Sequence, residues 1–121
     1  MDIDEAEWDV LAHVDQASLQ RIRQLAVEFG EIRRFVDPDW RTLMLAAVKN
    51  LTSTHVCVHI HGNNWGPFTV VGGIPFPNFF ELAFVRRSDY TLVPSSASFP
   101  TEIDRPNNPR KPDFYLGRWD Y

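Results

Sequence analysis

Between His55 and His61 the side chains alternate without a break, with Val56, Val58 and Ile60 on one side and His55, Cys57, His59 and His61 on the other. Only an extended strand, with its two-residue period, keeps two such sets apart. The chain must therefore build a sheet with one apolar and one histidine-bearing face. A second segment, Phe79 to Arg86, repeats the period with Phe80, Leu82 and Phe84 and predicts another strand. Between them, Gly62, Asn63, Asn64, Gly66 and Pro67 mark one loop and Gly72-Gly73 with Pro75 and Pro77 mark another. Thr69 to Val71 adds a few extended residues.

Upstream the period changes. Trp40, Leu43, Ala47, Val48 and Leu51 recur at helical spacing behind Asp37, a good N-cap, and Pro38, which suits the first helical position. Asn50 and the Thr52-Ser53 pair end that helix. A shorter helix is expected over Glu5 to Val14, burying Trp8, Leu11 and Ala12, with Asp4 favourable at its N-terminus. Asp15 caps a short turn of helix to about Arg21, and Leu25, Ala26, Val27 and Phe29 read as a buried strand that stops at Gly30. Beyond Val93 come Pro94, Pro100, Pro106, Pro109 and Pro112, which resist helix and central strand alike. Residues 94–121 are therefore expected as an extended tail whose Phe99, Phe114, Tyr115 and Trp119 pack on a body formed by 1–93. The order is strand stub, helix, strand, helix, strand, strand, tail, which argues for an α/β fold with βα units on a parallel sheet and an antiparallel hairpin at its end.

Composition narrows the class. With 121 residues, a formal net charge of -4 and a pI near 5.5, nothing draws the chain to nucleic acid or anionic lipid. Cys57 is the single cysteine, so no disulfide framework and no cysteine-based zinc site can form within the chain. No run approaches the roughly 20 apolar residues of a membrane span, and the acidic start is unlike a signal peptide. A cytoplasmic protein is the resulting expectation.

Several segments resemble, in order, parts of FkbM-like, class I S-adenosylmethionine-dependent methyltransferase domains. Met1-Asp2-Ile3-Asp4-Glu5-Ala6-Glu7-Trp8 resembles the MDIEGAEW segment that ends the family's fourth strand. Leu25-Ala26-Val27-Glu28-Phe29-Gly30 is similar to its VEFH segment at the fifth. His59-Ile60-His61-Gly62-Asn63-Asn64 and Glu81-Leu82-Ala83-Phe84-Val85-Arg86-Arg87 look like its last two strands, and Asp104-Arg105-Pro106-Asn107-Asn108-Pro109 like its terminal stretch. The resemblance implies the C-terminal half of a doubly wound, Rossmann-like sheet, with the fourth, fifth, seventh and sixth strands as neighbours. It implies O-methyl transfer to a hydroxyl of a small molecule or glycan. The cofactor-binding half, with its Gly-rich turn, is expected to be missing, so S-adenosylmethionine binding and activity are not expected of this chain alone. Two departures stand out: Glu5 takes the place of a Gly where the turn would favour positive φ, and Gly30 that of a His.

Ligands in open α/β sheets sit beyond the carboxyl ends of parallel strands. That rule selects Asp2, Glu28 and His61 as candidate catalytic groups, able to take a proton from an attacking hydroxyl, and His59, Asn63 and Asn64 as substrate-binding groups. Each has a plainer alternative: a helix-terminal acid for Asp2 and Glu7, a paired buried acid for Glu28 and Glu81, a satisfied histidine row, and turn-forming asparagines. Cys57 reads as a core residue and Arg86-Arg87 as a solvated strand end. Two further functions remain open. A sheet edge could pair with a second copy or with a chain carrying the missing half, or His55, His59 and His61 could hold a metal with a carboxylate.

Overall fold

The computed structural model describes residues 1–119. Helices α1 (Glu7–His13), α2 (Gln16–Arg21) and α3 (Pro38–Thr52) accompany the strands β1 (Gln24–Phe29), β2 (His55–Gly62), β3 (Phe68–Val71), β4 (Ile74–Pro77), β5 (Phe80–Arg86), β6 (Ser98–Phe99) and β7 (Gly117–Arg118). The main sheet has the order β1-β5-β2, and β5 is antiparallel to both neighbours. β1 and β2 consequently point the same way, joined through α3, with β5 between them. The expected parallel pairing is thus replaced by antiparallel ladders among the described residues. One parallel feature persists at the outer edge of β1, where the Met1 N-terminal amine donates to Ala26 O (2.5 Å) and Glu28 N–H donates to Met1 O (3.0 Å). That pair of bonds straddling Val27 is the pattern of a parallel bridge.

The helices follow from their caps and spacing. Asp37 Oδ1 accepts from the amides of Asp39 (2.9 Å) and Trp40 (3.3 Å), and Asp15 Oδ1 from Ser18 (2.9 Å). Asp4, by contrast, does not cap α1. It and Glu5 adopt left-handed backbone, with φ of +56° and +76°, and Ala6 is the N-cap without a side-chain bond. The Ile3 amide is satisfied instead by buried Glu7, whose Oε1 lies 2.5 Å away. In α3 the buried side chains are Met44, Ala47 and Leu51, one helical face. Val48, expected on that face, is 45% exposed at its margin.

The core splits in two. Trp8, Leu11, Val27, Phe29, Leu51 and Phe84 belong to one cluster, between the helices and one face of the sheet, while Ile60, Phe80 and Phe99 form another. β3 and β4 make a hairpin, with Val71 opposite Ile74 and Gly72-Gly73 turning at φ of +59° and +84°. Positive φ at both central residues is the two-residue turn that suits the strand twist. Pro75 and Pro77, read as loop formers, lie within β4; a two-stranded ribbon leaves room for residues that lack a ladder donor. Among its described residues, the tail carries only the short β6–β7 strand pair. Phe99 is buried and Trp119 meets Phe76 and Phe80 edge-on, at 6.2 and 6.1 Å between ring centroids. Tyr115, expected to pack, is 77% exposed.

Candidate functional site

The site exists because β2 is not regular. Along β2, Cys57 pairs with Phe84 and His59 with Ala83, so Val58 is an extra residue opposite no partner, and it stands 50% exposed. Such a bulge reverses the alternation downstream of it. His55 and Cys57 face the apolar core with Phe84, whereas His59 and His61 face the opposite side of the sheet and Ile60 returns to the core. The expected single histidine face is therefore corrected to two. His55 is fully buried between Thr54 Oγ1 (2.8 Å) and Ile22 O (3.0 Å), far from any shared role with the other two.

On the second face, two rungs cross the sheet. Glu28, Glu81 and His61 are directly opposite one another on β1, β5 and β2, and Ala26, Ala83 and His59 form the next rung. With Met1, Asp2 and Asp104 these residues line an open groove of about 380 Å³, floored by the two small alanines.

His61, 3% exposed, is held from both ends: Nδ1 lies 3.0 Å from Glu81 Oε2, and Nε2 lies 3.1 and 3.0 Å from the two oxygens of Asp113. A ring flanked in this way donates from both nitrogens, which only the imidazolium can do. Burial opposes that charge, but the bonds and fields of Glu81 and Asp113 outweigh it and raise the His61 pKa. Clamped as a cation, His61 has no lone pair to take a proton. It ties β2 to β5 and to the tail. His59 Nε2 donates to Asp104 Oδ1 at 2.8 Å, and Asp104 Oδ2 accepts from the Thr101 amide (2.6 Å) and hydroxyl (2.8 Å). Although partial burial of Asp104 works the other way, those bonds from Thr101 and His59 lower its pKa.

Glu28 is different. Burial is the largest influence on its carboxyl and raises its pKa, reinforced by the nearby acids Asp2, Glu81 and Glu7, while a bond from Asn63 Nδ2 (3.0 Å) opposes the rise. A half-buried carboxyl that holds its proton more tightly than an ordinary glutamate is better suited to accepting one from a hydroxyl. Asn63 orients it and also forms a turn, its Oδ1 accepting from the Trp65 amide at 2.9 Å. Asp2 is exposed and lines both this groove and a smaller acidic one of about 180 Å³ with Glu5, Glu7 and Gly30. The Gly30 position is filled from outside: a Cβ there would lie 2.8 Å from the Phe79 ring, which also packs on Gly66.

Asn64 is fully buried and holds the tail. Its Nδ2 donates to the carbonyls of Asn108 (3.1 Å), Lys111 (3.3 Å) and Pro112 (3.2 Å), and its Oδ1 accepts from the Asn108 amide (2.6 Å). With both ends used, it has nothing left for a substrate. The structure thus brings Asp2, Glu28, His59 and His61 around one groove, places Asn63 behind Glu28, and leaves Asn64 outside. Asp113 and Asn107, whose Nδ2 bonds Glu81 Oε1, were not singled out from sequence, because no local spacing links them to residues so distant in the chain. Among the described residues, no group of three or more His, Cys, Asp or Glu side chains is disposed to hold a metal ion, and no helix is long and apolar enough to cross a membrane.

No protein-family model, no curated protein and no solved structure matches this chain.

Proposed function

We propose that this chain carries the acceptor side of an FkbM-like, S-adenosylmethionine-dependent methyltransferase fold, in which Glu28 takes the proton from a hydroxyl of a small molecule or glycan lying over Ala26 and Ala83. The observation that supports this most is the strand order. From the bridge at Met1 inward it runs Met1, β1, β5, β2, with only β5 reversed. The resemblance of the four segments calls for fourth, fifth, seventh and sixth strands in that sequence of neighbours. Glu28 lies near the carboxyl end of β1, where ligands of such sheets sit. The floor of alanines leaves room for a ring, and His59 at the groove wall supplies a hydrogen-bonding partner.

On this reading the cofactor's site is not built from the described residues. Its phosphate-free, ribose-bearing body needs a close backbone approach at a strand-to-helix turn. Here the adjacent glycines Gly72-Gly73 turn a hairpin, and the end of β1 at Gly30 is covered by Phe79. Methyl transfer by this chain alone is therefore not part of the proposal. Calorimetric titration with S-adenosylhomocysteine tests it: folded chain should give no saturable heat at high micromolar ligand. Saturable binding would sink the acceptor-side reading by placing a complete site within these residues. A carboxyl-detected NMR titration should in turn find Glu28 titrating above the ordinary glutamate value.

A further inference from the structure

A second, larger space lies on the other face of the sheet, at the junction of the two core clusters. It has a volume of about 660 Å³, within the roughly 300–1,000 Å³ of small-molecule sites. α3 packs chiefly on α1, with Met44, Ala47 and Leu51 buried, and an open space remains between it and the sheet, lined by Val48, Leu51, Ile60 and Phe84. The 3₁₀ turn at Ile32–Val36 and the β3–β4 hairpin wall the far end. Aromatic and aliphatic side chains line nearly all of it, among them Phe29, Leu51, Ile60, Phe76, Phe80 and Phe84, and among the described residues no acidic side chain does. Water gains little in such a lining.

One cation stands at its rim. Arg87 is exposed, its backbone is fixed by a bond from its amide to Thr54 O (2.9 Å), and its side chain forms no ion pair among the described residues. Its neighbour behaves otherwise. Arg86 is locked to Asp89 by bonds of 2.8 and 2.9 Å, and mainly through that contact the Asp89 carboxyl is lowered to about 2. A free guanidinium beside an apolar cavity matches an apolar chain ending in one carboxylate.

We infer that this cavity binds an amphipathic monoanion of the fatty-acid class, its chain between α3 and the sheet and its carboxylate on Arg87. The assignment is independent of any methyltransferase role, since it uses the opposite face of the sheet from Glu28.

Displacement of dansyl-undecanoic acid from the full chain, monitored by fluorescence, provides the test. Decanoate should displace the probe about three- to fivefold better than decanol, as expected for one solvent-exposed charge pair. Arg87→Gln should remove that difference and leave decanol unchanged. Val48→Trp, at an already exposed position on the cavity margin, should weaken both at least about tenfold by filling the space. Both variants lie at the surface, and circular dichroism verifies that they fold. Absence of probe binding to folded chain, equal displacement by decanoate and decanol, or indifference to both substitutions would overturn the inference. So would a dimer, dispersed by Val48→Trp, which would give the cavity to a second copy.

Discussion

Asp4 and Glu5 both hold left-handed backbone at the entrance to α1, where a β-carbon crowds the following carbonyl. Glu5→Gly should relieve that strain and raise stability by up to about 1 kcal/mol in urea unfolding, the gain being reduced by the extra freedom glycine has when unfolded. The replacement of an expected glycine was visible in the sequence; the positive φ of Asp4 beside it was not. Glu28 and His61 share a direction of pH dependence, each contributing less stability as pH rises, but for different reasons. The Glu28 pKa is raised, so the native state holds its proton longer than the unfolded chain, and the carboxylate costs stability once pH passes through the folded value. Glu28→Gln should accordingly stabilise the protein at neutral pH while removing the proposed base. The His61 pKa is also raised, but its charged form is the favoured one. Its contribution is complete below the unfolded histidine value and is lost as pH rises through the folded value. His61→Gln should flatten that alkaline decline in unfolding curves and cost about 2 kcal/mol at mildly acidic pH, the scale of hydrogen bonds to charged groups. Sequence reasoning selected both residues because each ends a strand. It gave His61 a proton to take, since Asp113, which occupies Nε2, lies 52 positions away and announces itself by no local pattern.

At the scale of elements, what was legible was period and punctuation. α3 is bounded by its Asp37 cap and Pro38 as its sequence requires, and β5 buries Phe80 and Phe84 as its alternation does. β2 was legible as a strand, but its bulge was not. Val58 is as apolar as an unbroken alternation would demand, so nothing in the residue type reveals that it looks outward. The β3–β4 hairpin was obscured differently, because Gly72-Gly73 is a hairpin signal that Pro75 and Pro77 contradict unless the partner strand is the ribbon's only one. The tail has little hydrogen-bonded structure of its own and depends on Asn64. Asn64→Ala strands the Asn108 amide and three carbonyls without their partner and should cost about 2–3 kcal/mol. It should also speed tryptic cleavage after Arg110 before β5 becomes accessible. Equal protection of the tail in wild type and variant would refute the staple.

At the scale of the molecule, the outer edge of β1 is paired, among the described residues, only at Met1, which leaves strand backbone free to template another strand. A mass that grows with concentration in light scattering, and is reduced by Ala26→Pro on that edge, is the expected result; a monomer at all concentrations would count against pairing there. The same sheet order has a consequence in time. β1 and β2 never touch, and the strand that joins them, β5, is the last of the three to be synthesised. On a ribosome, residues 1–79 would emerge as the two outer strands of the sheet, the β3–β4 hairpin and three helices before the strand that the outer two share, their sheet-facing apolar side chains waiting in solvent. Sheet formation is therefore gated by the release of Arg86 from the exit tunnel, and a stall before that point would leave the nascent chain in the hands of chaperones rather than half folded.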